Sequence, residues 1–294
     1  MAKLKLLPLI ALALSSIANA ASCRIDSSGR KECGFFGITR EQCLERGCCW
    51  GENGASGVPW CYRTNELCSI YKVVAISQSV DSVSAKIELD ASRCVVDPES
   101  VTQLQLDAFM ADDLIHLKII DALHTRWEIP SYLVPSPFTN HTSVLKPAEF
   151  SESDSFYVLQ SPKMILKIQY SPFNFAIIRK SDNEVLFDTN HPDSEWNSII
   201  YNRQFLQISS KLPKNAHLYG FGERAHPFRL DSKNSRLAFF ARDTVTSRGQ
   251  NVYGVHPVFV ELRSGKSHGA VLNQMTFSSY EIAMVWMWYY LMEE

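Results

Sequence analysis

Chemistry in this 294-residue chain concentrates first in its cysteines, all eight of which lie between Cys23 and Cys94. Six of them follow the spacing C-x9-C-x9-C-x4-C-C-x11-C from Cys23 to Cys61. The adjacent pair Cys48-Cys49 cannot easily close on itself, because a trans peptide leaves consecutive side chains pointing apart. Each must find a distant partner. A metal site is the poorer reading: the chain has no C-x2-C pair, and its first histidine is His116, so the usual ligand spacings are absent. No metal and no cofactor is expected.

The compartment supports cross-linking. Lys3 and Lys5 precede the apolar run Leu6 to Leu14, and Ala18-Asn19-Ala20 offers small residues for cleavage, the pattern of a secretory signal peptide over residues 1–20. Thiols oxidise on that route. Neither this run nor Ile282 to Met292 reaches the ~20 apolar residues of a membrane-spanning helix, so no transmembrane segment is expected. With a net charge of −2 and no basic block, nucleic acid is excluded as a partner.

A segment of roughly 40 residues buries too little apolar area to fold unaided, and cross-links are the usual remedy. Six cysteines allow about 15 pairings, and spacing alone does not choose among them. The stretch "RKECGFFGITREQCLERGCCWGENGASGVPWCYR" resembles a trefoil, or P-type, domain, placed here at residues 21–68. That resemblance implies the pairs Cys23 with Cys49, Cys33 with Cys48 and Cys43 with Cys61. Cys68 and Cys94 fall outside the pattern; a bond between them would tie the exit of the small domain to the next domain, and a leftover thiol is the alternative. Trp50 or Trp60 could stack on a sugar ring, but aromatic rings in so small a domain more often fill its core.

From Ser69 onward the pattern has period two. Met164, Leu166, Ile168 and Tyr170 alternate with Ile165, Lys167 and Gln169, and Ile115, Leu117 and Ile119 alternate with His116, Lys118 and Ile120, as half-buried strands do. Ser181-Asp182-Asn183 separates two β-rich runs and predicts a hairpin. Similar runs recur at 101–106, 156–160, 204–209, 257–262 and 269–273. The fold class is therefore mainly β: a disulfide-rich trefoil followed by an antiparallel β-sandwich over 69–280.

Within the sandwich, "LYGFGERAHPFRL" and "FFARDTVTSRGQNVYGVHPVFVELRSGKSHGAVLNQM" closely resemble the N-terminal, mutarotase-like sandwich of the family 31 α-glucosidases, and "LIHLKIIDALHTRWEIP" fits the same template upstream. The order trefoil then sandwich is also that of the family's lysosomal and intestinal members. This resemblance implies hydrolysis of terminal α-linked glucose, with α-glucan or another carbohydrate as the partner, in a lysosomal or extracellular setting. A retaining glycosidase needs two carboxyl groups about 5 Å apart, and the family supplies them from a barrel after the sandwich. The family's Trp-x-Asp-Met-Asn-Glu signature follows none of Trp50, Trp60, Trp127, Trp196, Trp286 and Trp288. No catalytic residue is assigned, and one sandwich face is expected to pack on the barrel.

The same resemblance makes Asp243, after Arg242, a contact to the bound sugar. Without it, Asp243 would read as a turn residue. Gly220, Gly222, Gly254 and Gly269 read as turns or bulges, and His226 and His256 as loop supports. Asn140-His141-Thr142 is a glycosylation sequon. Residues 281–294 stop alternating where the resemblance stops. A core strand and a membrane-surface segment are alternatives, but a tail foreign to the family is the reading preferred. Two functions remain open: the non-catalytic front of an α-glucosidase, or a stand-alone secreted trefoil protein that binds glycans without enzymatic activity.

Overall fold

The computed structural model describes residues 23, 25, 30, 32–52, 58–63, 67–68, 70–80, 82–92, 95–96, 99–111, 113–126, 132, 149–190, 199–203, 206–214, 216–232, 235, 237, 239, 241–243, 249–273 and 285–292. Residues 1–20, expected to be a signal peptide, lie outside them, as do Cys94 and Asn140. The described elements run α1 (Arg40–Glu45), β1 (Cys49–Trp50), β2 (Cys61–Tyr62), β3 (Leu67–Cys68), β4 (Tyr71–Gln78), β5 (Ser82–Leu89), β6 (Val95–Val96), β7 (Gln103–Met110), β8 (Leu114–Asp121), β9 (Glu149–Glu152), β10 (Phe156–Gln160), β11 (Met164–Gln169), β12 (Asn174–Arg179), β13 (Glu184–Asp188), β14 (Ile199–Tyr201), β15 (Leu206–Ile208), β16 (His217–Gly220), β17 (Val258–Arg263), β18 (Lys266–Asn273) and β19 (Val285–Met292). They form two compact units, Met1–Cys68 with Ala91–Pro98, and Ser69–Asp90 with Glu99–Glu294.

In the first unit, α1 is too short to persist alone and is held at both ends. Thr39 Oγ1 accepts the Gln42 N–H at 3.3 Å while Gln42 Oε1 accepts the Thr39 N–H at 3.0 Å, a reciprocal cap. At the other end Gly47, with φ +74°, donates its N–H to Leu44 O at 3.0 Å, the left-handed exit that glycine enters without penalty. Cys43 on this helix is fully buried. Disulfides join Cys23 to Cys49, Cys33 to Cys48 and Cys43 to Cys61, with Cα separations of 5.5, 6.2 and 5.8 Å. The bonded cysteines are themselves the core, packed by Ile38 and Trp50.

The first unit also takes in residues that the 69–280 sandwich was expected to contain. β3 pairs in parallel with β6, Leu67 opposite Val95 and Cys68 opposite Val96. That backbone pairing puts Val95 and Val96 in the first unit, a contact across 28 residues of sequence with no local signal.

The described residues of the second unit form two large antiparallel sheets around one core, with β14-β15 as a separate antiparallel pair. The larger has the order β16-β17-β18-β19-β8-β7-β5-β4, and the smaller β13-β12-β11-β10-β9. Ile87, Leu104, Leu106, Ile115, Leu117 and Ile119 of the first meet Leu159, Met164, Leu166, Ile168, Phe175 and Ile177 of the second in a single apolar cluster. These are the inward positions of period two. At roughly 25 cal/mol per Å2 of apolar surface, such side chains contribute about 1.5–3 kcal/mol each when fully buried. Gly269, expected at a turn or bulge, sits inside regular strand β18 opposite Val260. Residues 285–292, in the segment read as a foreign tail, form β19 between β18 and β8, with Val271 opposite Trp288 and Trp288 opposite His116. A continuous apolar run is compatible with a strand paired on both edges, which periodicity alone does not identify.

One polar cluster bridges the sheets. Arg263 of β17 reaches Glu261 through Nε at 2.7 Å and Nη2 at 2.8 Å. It also donates to Val185 O at 2.5 Å and to Glu184 Oε1 at 3.3 Å on β13. His268, opposite Glu261 on β18 and fully buried, stands 3.3 Å from its carboxylate. Burial works against the Glu261 charge, yet the His268 and Arg263 contacts hold its carboxyl below the usual range. Burial also lowers the His268 imidazole, against the pull of Glu261.

Two outcomes test this architecture. Cys43→Ser removes a bond between α1 and β2 and should destabilise the small unit by about 2–5 kcal/mol; peptide mapping that paired Cys48 or Cys49 with other partners would refute the framework. The second concerns His116, which is fully buried and is lowered from 6.5 to about 4 by burial first and then by Lys118, against Asp107. The unfolded chain takes up this proton below pH 6.5 while the folded chain resists until about 4, so stability is lost as pH falls through that window, by on the order of 3 kcal/mol. Melting followed from pH 7 to 4.5 should fall less steeply in His116→Leu, with a residual slope from His268; identical slopes would discard the assignment.

Candidate functional site

Gly222, His226, Asp243, Gly254 and His256, all singled out by sequence, lie on the connection between β16 and β17. Gly220 ends β16 at φ +112°, and a Cβ there would lie 2.3 Å from Val258 O, so only glycine fits. Phe221 follows at φ 58° and donates its N–H to Val258 O at 2.7 Å. Its ring centroid lies 5.6 Å from Phe239 and 5.5 Å from Phe259, so an aromatic cluster seats the loop on the sheet.

The two ends of the loop are laced together. Glu223 N–H donates to Gly254 O at 3.1 Å, Val252 N–H to Glu223 O at 2.9 Å, and His256 N–H to Gly222 O at 2.8 Å. The Glu223 carboxylate accepts the Gly254 N–H at 2.8 Å. A Cβ on Gly254 would meet the His256 ring at 2.9 Å and that carboxylate at 3.2 Å, so this glycine marks a close approach. Arg224 donates from Nε to Phe221 O at 2.8 Å and from Nη2 to Asn251 Oδ1 at 3.2 Å. Buried Asn251 then donates to Gly254 O at 2.5 Å. Charged donors on fixed carbonyls rigidify such a loop.

Asp243 sits one residue beyond an anchor point. Arg242 N–H donates to Val252 O at 2.8 Å, and the Arg242 side chain reaches Gln250 Oε1 at 3.3 Å. Asp243 itself is exposed, and its carboxylate makes no hydrogen bond or ion pair to the described residues. It is an acceptor presented to solvent from a braced backbone. His226 turns Nδ1 to Pro227 O at 2.7 Å, and His256 is exposed with its backbone in the lacing. Among the described residues no group of three or more His, Cys, Asp or Glu side chains gathers as a metal centre, and no helix is long and apolar enough to cross a membrane.

Glu223, Arg224 and Asn251 were not singled out from sequence, although Glu223-Arg224 directly follows "YGFG". Their partners lie some 27 to 31 residues away, and no local spacing announces that. In the small unit, Trp50 and Trp60 meet edge to face with centroids 6.0 Å apart; Trp50 is half-buried and Trp60 is 46 % exposed.

Comparison with known proteins converges on the same two blocks. Residues 23–64 match the trefoil (P-type) domain. Lysosomal alpha-glucosidase of Rattus norvegicus is 30% identical over 259 residues, covering 85% of this chain and 24% of the relative. Probable maltase-glucoamylase 2 of Homo sapiens is 30% identical over 80% of this chain and 9% of its own length. The chain thus spans about a quarter or less of these relatives. Among solved structures, a cycloalternan-forming enzyme from Listeria monocytogenes in complex with a pentasaccharide substrate superposes with a TM-score of 0.51 at 13% identity, over 77% of this chain and 21% of that one, a likeness of fold alone. Residues 108–281, which hold part of the inter-sheet core and the laced segments that join β16 to β17, match the glycosyl hydrolase 31 N-terminal galactose mutarotase-like domain, and the chain belongs to that family.

Proposed function

We propose that this chain is the non-catalytic N-terminal portion of a secretory-pathway α-glucosidase, and that its β16–β17 loop presents Asp243 to a sugar bound by the catalytic barrel. The observation that carries the reading is the geometry of Asp243: an exposed carboxylate on backbone laced through Val252 to Glu223. A carboxylate accepts hydrogen bonds from sugar hydroxyls, and a braced one does so without the entropy loss of ordering a loop. The substrate class is α-linked glucose, from the resemblance of the loop block and the names of the relatives.

The sandwich supplies orientation, while the carboxyl pair that makes and breaks the glycosyl bond belongs to the barrel. Three disulfides support the reading of an oxidising compartment, for which we propose the lysosome or the cell exterior, with Asn140 of the Asn140-His141-Thr142 sequon as the glycosylation site. One face of the sandwich packs on the barrel.

The purified chain should release no 4-nitrophenol from 4-nitrophenyl α-glucoside between pH 4 and 7. Placed ahead of the barrel of a curated relative, it should support turnover, and Asp243→Asn should lower kcat/KM by about tenfold or more, the loss expected of one charged hydrogen bond. Turnover by the isolated chain, or a fused Asp243→Asn variant with unchanged kcat/KM, would overturn the proposal.

A further inference from the structure

A second polar cleft lies away from the β16–β17 loop, where the edge of the large sheet meets the small one. It measures about 440 Å3 and is lined by Val73 to Ile76 and Gln78 of β4 and by Glu152, Tyr157 and Tyr170. That size is within the ordinary range of small-molecule sites. β4 is the last strand of its sheet. Its outer edge is used at the start, where Val73 N–H donates to Tyr170 O at 2.9 Å and Phe173 N–H to Tyr71 O at 2.6 Å. The ladder to β5 shifts register between Val73 and Ala75, and beyond that bulge the strand borders the cleft.

The polar groups there are oriented in advance. Tyr170 donates its hydroxyl to Glu152 Oε1 at 2.7 Å, and Tyr157, only 3 % exposed, donates its own to Gln78 Oε1 at 2.7 Å. Burial first, and then the Glu152 charge, raises the Tyr157 phenol to about 12, so it stays a donor at any physiological pH. Each of these bonds occupies one atom of a two-atom head. Glu152 Oε2 is left as an acceptor and Gln78 Nε2 as a donor, with no bond to the described residues, and both side chains are exposed.

We infer that this cleft binds a neutral oligosaccharide, with Glu152 and Gln78 reading a pair of ring hydroxyls. Each sugar hydroxyl both donates and accepts, so a carboxylate oxygen and an amide N–H2 lining the same cleft suit a pair of hydroxyls on one ring. The half-buried Tyr170 ring supplies the flat wall that a pyranose's C–H face needs. An extended peptide adding to β4 is the competing occupant, but strand addition needs a regular edge, and a bulge twists the edge away from pairing. The choice of an α-glucan as probe rests on the function proposed above; the cleft and its residues do not.

Maltotriose binding to the full chain, read by saturation-transfer NMR and calorimetry, tests it. The double variant Gln78→Ala with Glu152→Ala should weaken binding at least tenfold, about fivefold for each hydrogen bond, while melting with the wild type, since both side chains are exposed. Asp243→Asn should leave this binding unchanged. That pattern supports the second site whatever becomes of the α-glucosidase reading. Absence of binding by the wild type, a double variant that binds as the wild type does, binding lost only in Asp243→Asn, or displacement of the sugar by a valine-rich strand-forming peptide would each overturn it.

Discussion

Arg263 is a buried cation, and it is the joint between the two sheets of the second unit. Its guanidinium is held by Glu261 on its own strand and by Glu184 and the Val185 carbonyl on β13. Leaving such a charge unmatched in a dry interior costs several kcal/mol, so β17 and β13 are obliged to stay together. β17 pairs with β16, and the loop that presents Asp243 leaves from one of these strands and returns into the other. The position of the candidate site therefore depends on an ion cluster that takes no part in it.

The loop follows a second constraint, the crowding at its base. With Gly220 pressed against Val258 O, the chain turns sharply out of the sheet, and the following residues are laced to 251–256. Glu223, Arg224 and Asn251 spend their polar groups on backbone carbonyls and N–H groups, which is scaffolding. Asp243 keeps its carboxylate facing solvent. Among the described residues, polar side chains thus divide into those that build the loop and those, Asp243 among them, that face solvent. The same division recurs in the β4 cleft, where tyrosine hydroxyls hold one atom of Glu152 and of Gln78 and leave the other outward.

The small unit solves a different problem. It has too little apolar surface for a core, and the cysteines replace it: Cys33, Cys43, Cys48 and Cys61 are the buried cluster. Cys48 and Cys49, adjacent and poorly placed to bond to each other, reach Cys33 and Cys23 respectively. Two neighbouring positions thereby fasten two separate parts of the N-terminal stretch.

Sequence by itself determined whatever is local or periodic. Alternation at Ile115, Leu117 and Ile119 and at Met164, Leu166 and Ile168 marks the buried faces because a pleated strand turns every second side chain the same way, and the Thr39–Gln42 cap and the hairpin at Asp182-Asn183 are settled within a few residues. The motif blocks around Gly220 and Asp243 were likewise legible as a resemblance. Tertiary structure alone decided the rest: that Val95 and Val96 join the first unit through a two-residue parallel pair, that 285–292 takes a place between β18 and β8, and that Arg263, Arg224 and Tyr157 have the partners they do. Each of these rests on groups brought together across tens of residues. A backbone or side-chain hydrogen bond depends on where its partner arrives in space, and neither spacing nor periodicity carries that information.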